Sequence, residues 1–137
     1  MYLPGWANGC DAAIDVSVVS PLQTQLRKKA AEEQGSAAIK RFQEKKNKYT
    51  LACENEGIKF FPVIVETFGG WHKESELVIT KLARQLASQT GAASQDTIQH
   101  LYQRLGILLT RANANLILYR NPTHIDGRID GDIDSDY

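Results

Sequence analysis

The stretch that most constrains this chain is Ala12–Pro21, which reads Ala-Ala-Ile-Asp-Val-Ser-Val-Val-Ser-Pro. Ile14, Val16 and Val18 alternate with Asp15, Ser17 and Val19, the period of two of a β-strand. Ser20 is a residue type that caps helices, and Pro21 suits a first helical position. Strand is therefore expected to pass directly into helix, with Asp15 on a short, stiff strand. A carboxylate held that way is either a metal ligand or an ordinary solvated residue, and the alternation leaves both open.

Around this stretch the pattern is α/β. Tyr2 and Leu3 resemble the end of a strand, and Asn8-Gly9 is a strong turn dipeptide. The strand at Asp11–Val19 is expected to run back antiparallel to a nearly absent first arm, so the chain is read as beginning inside an element. Pro21–Gln34 is predicted as a first helix on Leu22, Leu26 and Ala30. Ser36 is predicted to cap a second, running to Glu56 and carrying Ile39, Phe42, Tyr49 and Cys53 on one side. Ile58–Thr67 is rich in β-branched and aromatic residues and is predicted as a buried strand. Pro62 requires a bulge there, or a nitrogen facing away from a partner strand. Strand, helix pair, strand makes a βαβ unit with parallel strands.

Phe68-Gly69-Gly70-Trp71-His72 is predicted as a loop, with Trp71 a lid over the end of the sheet and His72 a surface histidine. No Lys-Ser/Thr follows the glycines, so it is not a phosphate-binding P-loop. A third helix is predicted over Lys73–Gln89, apolar at Leu77, Ile79, Leu82, Ala83 and Leu86. A fourth starts at Ser94 and ends before Asn121-Pro122. Its stripe, Ile98, Leu101, Tyr102, Leu105, Leu108, Leu109, Ala112 and Leu116, is expected to be the main packing surface of the C-terminal half. The larger members would each contribute about 1.5–3 kcal/mol if buried.

At 137 residues the chain is one domain by length. We expect it to span 1–120, with 121–137 an acidic, disordered tail. That tail has Asp126, Asp130 and Gly131 at calcium-loop spacing, but Arg128 and Tyr137 occupy positions that need oxygen ligands. Net charge is +0, so no global charge steers the chain toward nucleic acid or membrane. The distribution is uneven. Pro21–Thr50 holds Arg27, Lys28, Lys29, Lys40, Arg41, Lys45, Lys46 and Lys48 against Glu32, Glu33 and Glu44, whereas five Asp face one Arg from Asp126 onward. This fits a basic face for nucleic acid equally well as a solvated helix face. Cys10 and Cys53 have no zinc-type spacing and are expected as free thiols in a reducing compartment. No signal peptide or membrane-length apolar run is present, so an intracellular protein is expected.

Chemistry has three candidate carriers. Asp15 lies on the first long strand, Glu66 near the end of the next, and Lys48 in the helix between. In a parallel βαβ unit both carboxylates are expected to approach one sheet edge. Carboxylates holding Mg²⁺, with a lysine orienting water, are minimal equipment for phosphodiester hydrolysis.

The run Asp11–Gln23, then Lys48-Tyr49, then Phe61–His72 resembles the restriction-like endonuclease region of retrotransposon-type proteins, a relative of the PD-(D/E)XK nucleases. The resemblance covers about Tyr2–Arg120. It implies a restriction-endonuclease-like βαβ core, with truncated hairpin and small mixed sheet, followed by two long helices. It also implies Asp15 as the second acidic position, Lys48-Tyr49 as the downstream Lys/Tyr pair, DNA as partner, an upstream reverse transcriptase in a longer protein, and nuclear location. Glu66 is added from the geometry and not from the family pattern.

The family's Pro-Asp pair would fall just before Tyr2, where Met1 stands, and Ser17 occupies the triplet lysine position. The chain is therefore expected to be a fragment of a Mg²⁺-dependent DNA endonuclease with little or no cleavage activity. The alternative is a non-enzymatic nucleic-acid-binding or protein-interaction module on the same fold, with Lys28, Lys29, Lys40, Arg41, Lys45 and Lys48 facing phosphates.

Overall fold

A computed structural model describes residues 1–120. The expected acidic tail and the helix stop at Asn121-Pro122 lie outside the described residues. Three strands, β1 (Tyr2–Ala7), β2 (Cys10–Val19) and β3 (Lys59–Glu66), form one sheet in the order β1-β2-β3. Four helices accompany them: α1 (Arg27–Glu32), α2 (Ser36–Asn55), α3 (Lys73–Thr90) and α4 (Ser94–Arg120). The class is α/β with a small mixed sheet.

β1 and β2 are antiparallel and joined at Asn8-Gly9, where both residues have positive φ (56° and 81°), as a tight hairpin turn matching strand twist requires. The first arm is longer than the sequence suggested, because its pairing survives a register shift between Leu3 and Ala7. Asp11 supports that irregular stretch, accepting hydrogen bonds from the Gly5 N–H (2.8 Å) and from the Tyr2 hydroxyl. These bonds, the hydroxyl's first, hold the Asp11 carboxyl below its ordinary pKa and push the Tyr2 phenol up.

β2 and β3 are parallel in unbroken register from Ala12 opposite Lys59 to Val19 opposite Glu66. Pro62 sits opposite Asp15 without a bulge. β3 is an edge strand, and its outward-facing backbone is closed by the start of α3. The Ile64 N–H donates to Ser75 Oγ (2.8 Å), and the His72 N–H donates to the Ile64 carbonyl (3.0 Å). Pro62 shares the parity of Ile64, so its nitrogen points to that edge and no ladder bond is lost.

Two cores flank the sheet. On one face Trp6, Ala12, Ile14 and Val63 meet Val78 and Ile79 of α3, with Trp71, Leu101, Tyr102 and Leu105 packed around them. On the other, Val19 and Ile64 meet Leu26 and the α2 residues Ala37, Ala38 and Phe42. Trp71 is wedged between sheet and α4, bridged to Val65 and edge-on to Tyr102 at 6.0 Å.

Several expectations are corrected. The first helix is only Arg27–Glu32. Residues 22–25 are exposed, so the segment before the buried Leu26 has little burial to offset helix nucleation, and Ser20 Oγ instead accepts from the Leu22 N–H in a turn (3.3 Å). Ser36 is inside α2, not its cap; Gly35 holds the cap position at φ 78° with no side chain to offer. In α3 the buried face is Ser75, Val78, Ile79, Ala83 and Ala87, which leaves Leu77 and Leu86 exposed.

The largest correction concerns α4, in which no residue is fully buried. Its 27 residues extend about 40 Å at ~1.5 Å per residue, whereas the eight-residue β3 spans about 26 Å. The helix packs mainly on α3 and runs past that contact, and Leu108 and Leu116 stand exposed with Ile117, Leu118 and Tyr119. No helix among the described residues is long and apolar enough to cross a membrane.

Candidate functional site

The side chains of Asp15 and Glu66 both belong to the sheet face covered by α2, but the register separates them. Asp15 is opposite Pro62, four positions before Glu66, which is about 13 Å at ~3.3 Å per residue. They are not brought together as a metal pair, contrary to the shared approach expected of them. Each is occupied with a different task.

Glu66 is buried, and its Oε1 accepts from the Ala38 N–H at 3.1 Å, in the first turn of α2. With Gly35 as a capless start and no acid in that turn, the strand carboxylate replaces the missing N-cap. It also places negative charge against the positive end of the helix dipole.

Asp15 is half-buried, and the ammonium of Lys45 lies 2.7 Å from its Oδ2. The contact is an ion pair of close approach without aligned hydrogen-bond geometry. The lysine meeting Asp15 is thus Lys45, which was assigned to phosphate contact, and not Lys48. Tyr49 joins this group, with Lys45 Nζ 5.4 Å and Lys48 Nζ 5.0 Å from its ring centroid. Its other side tilts onto Phe60 at 5.5 Å. The structure therefore assembles Asp15, Lys45 and Tyr49, with Lys48 at the margin and Glu66 apart.

Of the expected phosphate-binding residues, Arg41 and Lys45 sit one turn apart on α2 and Lys48 continues the same side. Lys28 and Lys29 are on α1; Lys29 and Lys40 line a cleft between α1 and α2. Arg41 pairs with Glu44 (3.3 Å) and Lys29 with Glu33 (3.7 Å), both solvent-facing. Lys28, Lys40 and Lys48 make no ion pair among the described residues. Exposed pairs of this kind are weak, about 0–1 kcal/mol, so they yield readily to a polyanion.

His72 is more than a surface histidine. Its Nδ1 accepts from the Glu74 N–H (3.3 Å) as the N-cap of α3, and its ring stacks on Phe42 at 3.8 Å. Burial lowers its pKa first; Glu74 opposes the shift and Lys46 adds to it. The sequence signal that could have marked this helix start is the acidic first turn, Glu74 and Glu76, directly after His72.

Mg²⁺ does not fit this donor set. Oxygen-seeking dications need several converging oxygens, whereas Asp15 is neutralised by Lys45 and Glu66 is spent on α2. Among the described residues no three Asp, Glu, His or Cys side chains gather at metal-binding distance. Cys10 and Cys53 are free thiols, the first exposed and the second half-buried. Comparison with protein-family models, curated proteins and solved structures returns no match for the chain.

Proposed function

We propose that this domain binds the phosphate backbone of nucleic acid without cleaving it, using the basic side of α2 that borders β2. One observation carries the reading: Arg41, Lys45 and Lys48 recur at i, i+4 and i+7 on α2, flanked by Lys40, and Asp15 is paired with Lys45. Phosphate contacts of this sort position a partner without reading its sequence. The Lys45–Asp15 pair keeps the strand carboxylate from repelling the phosphates.

A second reading follows the resemblance noted in the sequence: a nuclease centre in which Asp15, beside Lys45 and Tyr49, is completed by metal ligands from elsewhere. Salt-titrated binding of duplex DNA, with and without Mg²⁺, separates the two. Backbone binding through Lys40 and Lys48 gives a log–log salt slope that Lys40→Ala/Lys48→Ala flattens by about 2, at roughly 0.9 per contact. Mg²⁺ leaves the slope-corrected affinity unchanged. Absence of salt-sensitive binding, or DNA nicking that needs Mg²⁺, refutes the binding-only reading.

A further inference from the structure

One edge of β2 is covered for only part of its length. β1 pairs with it as far as Ile14, whose N–H donates to the Met1 carbonyl and whose carbonyl accepts from the Met1 ammonium, both at 2.7 Å. Backbone groups alternate in direction along a strand, so the N–H and C=O of Val16 and Val18 point to the same side as those of Ile14. No backbone group among the described residues meets them. Their side chains lie on the face that carries Ile14 and are 62% and 51% exposed. The helices leave this edge clear, because α2 and α3 pack chiefly on β3 and α4 packs on α3. An edge with free backbone groups and valine at both outward positions is a template for another strand.

The open stretch is complementary to itself. With a two-fold axis at Ser17, antiparallel pairing sets Val16 opposite the partner's Val18, and Val18 opposite the partner's Val16. Both become hydrogen-bonded pairs, because the outward groups belong to these residues. Ser17 meets the partner's Ser17, and Asp15 meets the partner's Val19, so no like charges stand directly opposite. The two Asp15 carboxylates stay about 13 Å apart along the strands, four positions at ~3.3 Å each. The nearest cations are already paired, Lys45 with Asp15 at 2.7 Å and Arg41 with Glu44 at 3.3 Å, so no bare charges approach across the axis. The length also fits. Met1 closes one end of the stretch, and β2 itself ends at Val19, after which Ser20 Oγ accepts from the Leu22 N–H (3.3 Å) in a turn.

We infer that two copies of this chain pair antiparallel through the open edges of β2, joining their three-stranded sheets into one continuous sheet. The axis is normal to the sheet, so both α2 helices lie on one face and both α3 helices on the other. Five residues a side make a small interface, of the class that associates weakly and exchanges. The pairing rests on the β2 edge alone and is independent of what α2 binds.

Sedimentation equilibrium and residue-resolved amide exchange on the full chain test this. A monomer–dimer equilibrium is expected, with exchange of the Val16 and Val18 amides slowing severalfold as the chain is concentrated. The Asp15 and Ser17 amides face β3 and are protected at every concentration, which reports that the sheet is intact. Val18→Pro deletes an outward N–H without touching the β3 ladder, and it abolishes both the dimer and the Val16 protection. Register is read by cysteine trapping in a Cys10→Ser/Cys53→Ser background. Ser17→Cys places two thiols across a non-hydrogen-bonded pair, about 4.5 Å between Cα atoms, and oxidises to a covalent dimer. Asp15→Cys, too far from its copy to bridge, does not. A chain that stays monomeric at all concentrations overturns the inference. So does Val16 and Val18 protection that ignores concentration, which means the edge is covered within one chain. A dimer that survives Val18→Pro, or Ser17→Cys trapping no faster than Asp15→Cys, overturns it as well.

Discussion

Replacing Glu66 tests whether this strand carboxylate is a structural cap or a metal ligand. Its Oε1 lies 3.1 Å from the N–H of Ala38, and the surroundings are dry, with Glu66 8% and Ala38 1% exposed. A hydrogen bond to a charged acceptor contributes about 1.5–3 kcal/mol, and a buried N–H left without an acceptor forfeits a comparable amount. The helix-dipole contribution, about 0.3–2 kcal/mol, overlaps with this bond and is not added to it. Glu66→Ala is therefore expected to cost about 2–3 kcal/mol. Glu66→Gln keeps a carbonyl acceptor, loses the charge and costs about 1 kcal/mol. Urea unfolding followed by far-ultraviolet circular dichroism at neutral pH measures both, with the m-value unchanged. With a urea m of about 1–3 kcal/mol/M for a small domain, the Ala midpoint falls by roughly 1 M. A carboxylate retained to hold a metal is a burden on the metal-free protein, and its removal stabilises. Equal or greater stability of Glu66→Ala refutes the capping argument.

Four further outcomes follow from the same geometry. Because burial holds His72 below its ordinary pKa of about 6.5, its contribution to stability is complete above that value and declines as pH falls through the folded-state pKa. Protonation also removes the acceptor for the Glu74 N–H, so thermal melting of His72→Asn shows a shallower decline as pH falls below about 6.5 than the unaltered chain; superimposable profiles refute this. Ser75→Ala strands the Ile64 N–H at the closed edge of β3 and is expected to cost about 1–3 kcal/mol in equilibrium unfolding, with a cost below 0.5 the adverse result. Asp15→Asn frees Lys45 and removes a negative charge beside the basic side of α2, so duplex-DNA affinity measured by fluorescence anisotropy rises severalfold, whereas a metal-centre role predicts a loss of Mg²⁺-dependent activity. Gly9→Val forces a β-branched residue to φ 81° in the hairpin turn and lowers stability by at least about 1 kcal/mol, read from the melting temperature.

The local elements were legible where sequence period and terminators agreed. The alternation at Ile14–Val19, the Asn8-Gly9 turn, the β-branched run of β3 and the extent of α2 each rest on interactions within a few residues. The α1 boundary was not legible, since Leu22 has apolar chemistry but no surface to cover. The stripe on α4 also misled: periodicity shows that a helix has an apolar side, not that a neighbouring element extends far enough to bury it.

The candidate site divides along the same line. Sequence alone determined that Asp15 and Glu66 sit on successive parallel strands and that α2 carries closely spaced cations, because strand period, crossover and helical spacing are properties of the local chain. Only the tertiary structure decided their roles. The β2–β3 register separates the carboxylates by four positions, the orientation of α2 presents Lys45 rather than Lys48 to Asp15, and the capless Gly35 leaves an N–H that Glu66 satisfies. Register and helix placement come from the summed burial of Ile64, Phe42, Val19 and Leu26, residues far apart in the chain. No short window of sequence contains that sum.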